Sequence, residues 1–133
     1  MKIVYNTCCG VDVHKKFLVV TIIKTTDGVL PSYQKKRFFT FNSDIRHFKQ
    51  WLLDNQCLDV CMESTDKYWV PVFNLLEDCI NVTIANPKWV KAVKDNKDDT
   101  KDSKWIGGLF RLGLVPKSFI PSKEIRILRE YTR

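Results

Sequence analysis

A change of apolar period near position 41 restricts this chain more than any other feature. Before it, apolar residues come in short β-branched runs. Cys8-Cys9-Gly10-Val11-Asp12-Val13 reads as one strand and Phe17-Leu18-Val19-Val20-Thr21-Ile22-Ile23 as a second. Asp27-Gly28 is a turn signal. Residues 32–41, ending in Arg37-Phe38-Phe39-Thr40-Phe41, supply a third strand. Tight connections predict an antiparallel meander.

After position 41 the spacing becomes helical. Asn42 or Ser43 is the expected cap of a helix to about Asn55, with Ile45, Phe48, Trp51 and Leu52 on one face. Leu58-Asp59-Val60-Cys61-Met62 is a fourth strand that delivers Glu63 at its carboxyl end. Ser64 or Thr65 is the expected cap of the next helix, whose apolar face is Tyr68, Trp69, Val72, Phe73, Leu75 and Leu76. Residues 80–85 form a fifth strand. Asn86-Pro87 pairs a cap with a proline at the first helical position. Trp105, Ile106, Leu109, Phe110 and Leu112 mark a further helix that Gly113 stops. The order β-β-β-α-β-α-β-α predicts an α/β fold: a mixed five-stranded sheet with helices packed on it.

The chain has 133 residues, 44% of them apolar and 12% aromatic, enough for one domain with a core. Phe17 to Ile23 is too short to span a membrane, so no membrane partner is expected. Five cysteines without a C-x-x-C read as buried reduced thiols rather than a disulfide or zinc framework, which points to a cytoplasmic location. Net charge is +7. The excess sits in two zones. Lys35, Lys36, Arg37, Arg46 and Lys49 face only Asp44; Arg111, Lys117, Lys123, Arg126, Arg129 and Arg133 face Glu124 and Glu130. Two basic zones around an acidic group fit a polyanion partner.

The acidic group is placed by the strand ends. Asp12 ends the first strand and Glu63 the fourth; sites in sheets with parallel strands form outside those carboxyl ends. Asp99 and Asp102 lie three residues apart at the start of the Trp105 helix, on the face continued by Ile106 and Leu109. Acids are also favoured in a first helical turn by the dipole, so position alone leaves a capping role open. If the first and fourth strands are neighbours, four carboxylates converge and require cations. An all-oxygen set suits Mg²⁺ or Mn²⁺, the apparatus of phosphodiester chemistry. Asp98 diverges from Asp99 by about 100° and is the better cap. Ser64 lacks a base and is not read as a nucleophile; His14 reads as a surface histidine; Tyr68 and Trp69 read as core.

Gly10-Val11-Asp12-Val13-His14-Lys15, Met62-Glu63-Ser64-Thr65-x-x-Tyr68-Trp69, Asn86-Pro87 and Lys97-x-Asp99-x-x-Asp102-x-x-Trp105 resemble the N-terminal domain of DEDD insertion-sequence transposases. The resemblance covers nearly the whole chain. It implies a RuvC-like, ribonuclease H-like fold, with Asp12, Glu63, Asp99 and Asp102 as the catalytic metal-binding set. It also implies a prokaryotic DNA recombinase, oligomeric when full-length and guided by a structured RNA. On that expectation residues 1–121 are the catalytic domain and 122–133 begin a helical connector to a further domain. Lys15, Lys35, Lys36, Arg37, Arg126, Arg129 and Arg133 are the expected nucleic-acid contacts. Asp66 departs from the pattern, standing where the family usually has glycine.

Three other readings compete. An actin-like phosphotransferase would need glycine-rich phosphate loops, and only five glycines are present. A stand-alone junction nuclease of the same fold would be complete at roughly this size. A non-catalytic nucleic-acid-binding module would use the acids only as caps.

Overall fold

The computed structural model describes residues 2–26, 30–64, 66–90 and 103–118. The elements follow the expected order: β1 (Thr7–Val13), β2 (Phe17–Lys24), β3 (Ser32–Phe39), α1 (Asn42–Asp54), β4 (Asp59–Ser64), α2 (Trp69–Leu76), β5 (Asn81–Ile84) and α3 (Ser103–Arg111). Residues 87–90 form one more helical turn. The sheet order is β3-β2-β1-β4-β5. β1, β2 and β3 pair antiparallel, whereas β1–β4 and β4–β5 are parallel. This is the expected mixed five-stranded sheet with helices packed on it. The meander closes locally, and each parallel pair is then bridged by a helix, as a crossover requires.

Side chains alternate across the sheet and create two cores. Cys9, Val11 and Val13 of β1 join Val60 and Met62 of β4 beneath α1 and α2, which contribute Ile45, Phe48, Leu52, Val72, Phe73 and Leu76. Cys8 and Cys61 point to the other face, under Ile106 and Phe110 of α3. Burying these side chains on both faces is the main stabilising term of the fold. Trp89 and Trp105 stack at 5.9 Å along the margin of the second core.

Several local signals act as the sequence leads one to expect. Asn86 caps the turn that follows it: its Oδ1 accepts from the amides of Lys88 at 2.9 Å and Trp89 at 3.3 Å. Gly113 stops α3 with φ +71, while the Gly113 and Leu114 amides donate to the Phe110 and Leu109 carbonyls. α1 ends in the same two-bond motif without glycine. Gln56, at φ 52, donates to Leu53, and Cys57 to Leu52.

Other expectations need correction. Neither Asn42 nor Ser43 caps α1: the cap position is Phe41, with no side-chain bond, because β3 ends at Phe39 and the helix starts directly after the bend. Ser64 does not cap α2 either. It is paired with Val13 inside β4, which runs two residues past Met62, and α2 starts only at Trp69. Thr65 lies outside the described residues. Cys79 is exposed in the turn after α2, unlike the four buried thiols. The expected segment at 122–133, and with it the domain boundary at 121, also lies outside the described residues.

Candidate metal and nucleic-acid site

β1 and β4 bring two of the expected acids together. In the parallel register Asp12 is the partner of Glu63, one residue before each strand ends. Directly paired residues point to the same face, so the two carboxylates stand side by side, with Cα atoms about 4.8 Å apart. Their face is the one that carries α3, because Asp12 follows Cys8 and Gly10 at two-residue steps and Glu63 follows Cys61. The Asp12 side chain is 18% exposed, so it is held by the fold yet reaches solvent.

The first turn of α3 lies against the same strand. A Cβ on Gly10 would stand 2.1 Å from the Ser103 carbonyl oxygen and 2.5 Å from the Gly107 nitrogen, so only glycine admits this approach. Beside it the buried Thr21 and Ser103 hydroxyls share a 2.7 Å hydrogen bond. Two residues along β1 from that contact is Asp12. Asp99 and Asp102 lie outside the described residues; Ser103, which directly follows Asp102, starts the helix.

His14 is more than a surface histidine. Its Nε2 lies 2.9 Å from Asp12 Oδ2, and its ring stacks on Phe17 at 4.4 Å. Arg37 covers Phe17 as well, with its guanidinium carbon 3.9 Å from the ring centre. The hairpin supports this stack: the His14 amide donates to the Phe17 carbonyl, and Thr40 holds the intervening Lys15 and Lys16 carbonyls. Lys15 is exposed at that turn.

Strand alternation divides the basic run on β3. Arg37 pairs with Val19 and Lys35 with Thr21, which puts both on the face of Asp12. Lys36 points to the opposite face, where its Nζ lies 5.4 Å from the centre of the Trp51 ring on α1. Arg126, Arg129 and Arg133 lie outside the described residues. Tyr68 and Trp69 pack against the core as expected. Sequence reasoning missed the roles of Gly10, Thr21 and Phe17. The hairpin through Lys15 and Lys16, closed by the His14 amide on the Phe17 carbonyl, sets Asp12 opposite Val19, so the register was the signal available.

At the carboxyl ends of β4 and β5 a crevice of about 390 Å³ opens, lined by Ser64, Asp66, Lys67, Trp69 and Pro87 among others. Asp66 sits there at φ 56, in the left-handed region that favours glycine. The turn thus uses the backbone a glycine would give, and aspartate is among the few other residues that tolerate it.

The buried thiols are not part of the site. Burial pushes Cys8, Cys57 and Cys61 up to about 12, and Cys9 well above its ordinary value. Among the described residues, no three His, Cys, Asp or Glu side chains gather to hold a metal. Asp12 and Glu63 supply a pair of hard oxygen donors, the chemistry that suits Mg²⁺ or Mn²⁺. No helix among the described residues is long and apolar enough to cross a membrane.

Among solved structures the chain is similar to Thermus thermophilus RuvC, with 13% identity over 87% of this chain and 85% of that one and a TM-score of 0.48. It is also similar to T. thermophilus RuvC in complex with a Holliday junction substrate, with 11% identity over 89% and 85% and a TM-score of 0.47. A comparison with curated proteins gives no match. A family model for the IS110-type DEDD transposases, described as transposase, matches residues 9–133. The family's name implies a divalent metal, and its activity implies DNA as a partner. With nearly its whole length matched, the chain belongs to the IS110-type DEDD transposase family.

Proposed function

We propose that this chain is the catalytic metal-binding domain of a DNA transposase that mobilises an insertion sequence by phosphodiester cleavage and strand transfer. The observation that carries this reading is the register pairing of Asp12 with Glu63 at the carboxyl edge, beside the start of α3. Asp102 directly precedes Ser103, and Asp99 is three residues before it. Both are therefore within chain reach of Asp12. The four residues Asp12, Glu63, Asp99 and Asp102 would hold the divalent ions, Mg²⁺ or Mn²⁺. Bound there, such ions supply charge neutralisation at the reacting phosphate and activation of the attacking oxygen.

The chain's own residues do the rest. β1 and β4 fix the spacing of the two strand-borne carboxylates, so no reorganisation is needed when charge develops. His14 holds one oxygen of Asp12 and sets the orientation of that carboxylate. The basic residues on the same face, Lys35 and Arg37, attract the polyanion toward the acids, with Lys15 at the adjoining turn. DNA is the substrate in this reading. The structured guide RNA, the oligomeric full-length protein and the prokaryotic cytoplasmic setting come with the family resemblance.

Calorimetric titration with Mn²⁺ tests the reading. Asp12→Asn, Glu63→Gln, Asp99→Asn and Asp102→Asn should each weaken binding at least tenfold, and Asp98→Asn should change it little. Equal losses from Asp98→Asn and Asp99→Asn, or unchanged affinity in Asp12→Asn, would refute it.

A further inference from the structure

The acids occupy only half of their face. One row crosses four strands at the level of the carboxylates: Glu63 on β4, Asp12 on β1, Val19 on β2 and Arg37 on β3. Along β3, Lys35, Arg37 and Phe39 step by two residues and share that face, about 7 Å apart at each step. α3 bounds this line on the inner side, where Lys104 Nζ lies 4.3 Å from the centre of the Tyr33 ring. Toward Phe39 the line is open. Phe39 is 56% exposed, and its ring is open to solvent at the end of the strand. The Arg37 guanidinium lies over the Phe17 ring, on the face of the acids, while the residue as a whole stays exposed.

A cation held on an aromatic ring, beside an exposed aromatic, offers what one strand of nucleic acid requires: a charge for a phosphate and a flat face for a base. We propose that the β3 face is the path of a single, unpaired nucleic-acid strand leaving the carboxylates, with Arg37 gripping a phosphate and Phe39 stacking under a base. This rests on the function proposed above, because it takes the Asp12–Glu63 edge as the position of the reacting phosphate. A duplex fits the arrangement less well, since its bases are already stacked and would leave Phe39 without a partner. Charge alone does not explain the pattern either. Lys36, between Lys35 and Arg37 in sequence, faces α1 and is off the path.

Fluorescence anisotropy with the 133-residue chain in EDTA tests the path independently of metal. The probes are a labelled 20-nucleotide oligothymidylate and a 20-base-pair duplex. Arg37→Gln should weaken oligothymidylate binding about tenfold and flatten the log–log salt slope by about 0.7. Phe39→Ala should weaken it about fivefold or more, and Phe39→Trp should restore it. Lys36→Gln should change it less than twofold. The proposal is overturned if Lys36→Gln costs as much as Arg37→Gln, which would mean diffuse surface charge. It is overturned equally if the losses appear only with duplex. Were Phe39→Ala to lose its folding transition, the Arg37→Gln and Lys36→Gln comparison alone decides. Loss of the Mn²⁺ result with the Arg37 contrast intact would sink the catalytic reading but keep the path.

Discussion

Gly10 is where fold and site are joined, and Gly10→Ala is the sharpest perturbation of that joint. The added methyl would meet backbone only: the Ser103 oxygen at 2.1 Å, the Gly107 nitrogen at 2.5 Å and the Gly107 Cα at 2.7 Å. Ordinary contact begins near 3.4 Å, so the start of α3 would have to lift by about 1.3 Å. That lift breaks the 2.7 Å Thr21–Ser103 hydrogen bond and leaves two buried hydroxyls without it. Overpacking costs roughly 1–3 kcal/mol, and the orphaned hydroxyls add roughly 1–3 kcal/mol. The expected loss is about 2–6 kcal/mol on the combined figures. Two other glycines calibrate it. A Cβ on Gly107 would sit 3.0 Å from Gly10 N and from the movable Ile23 Cδ1, so Gly107→Ala should cost less. A Cβ on Gly108 meets nothing within 4 Å, and Gly108→Ala should stabilise the helix by about 0.8–1 kcal/mol. Urea denaturation of the three variants gives the values. A Gly10→Ala loss under about 1 kcal/mol, or a larger loss from Gly108→Ala, would refute the close approach of α3 to β1.

Two positive-φ residues should respond to glycine in a set order. Gln56→Gly should gain up to about 1 kcal/mol in thermal melts, and Asp66→Gly less, because aspartate tolerates that backbone better than glutamine. Among the described thiols, Cys79 should react with Ellman's reagent in the native protein at pH 8 while Cys8, Cys9, Cys57 and Cys61 stay silent. Those four are raised by burial, three of them to about 12, whereas an unfolded thiol ionises near 9.0. The unfolded state therefore loses protons first, and stability should fall as pH rises from 9 toward 12, as urea midpoints will show.

The Asp12–Glu63 pair was legible because each acid closes an apolar strand, and a parallel pairing sets such ends level. Asn86 and Gly113 were legible because their roles depend on local backbone alone. The start of α2 was not. Ser64 looks like a cap, but pairing with Val13 keeps it in β4, and the turn through Asp66 fills the interval to Trp69. The run Lys35-Lys36-Arg37 reads as one patch in sequence and is divided by the sheet, because alternate residues face opposite layers. Gly10 carries no local signal of its own. Its need for glycine comes from a helix more than ninety positions away in the chain.

The most direct measurement is anomalous scattering from crystals of the 133-residue chain soaked in Mn²⁺. A peak ligated by Asp12 and Glu63, with Asp99 and Asp102 completing the oxygen set, is the expected result. A peak held by Asp98, or one remote from the β1–β4 edge while that edge stays free of Mn²⁺, would contradict it.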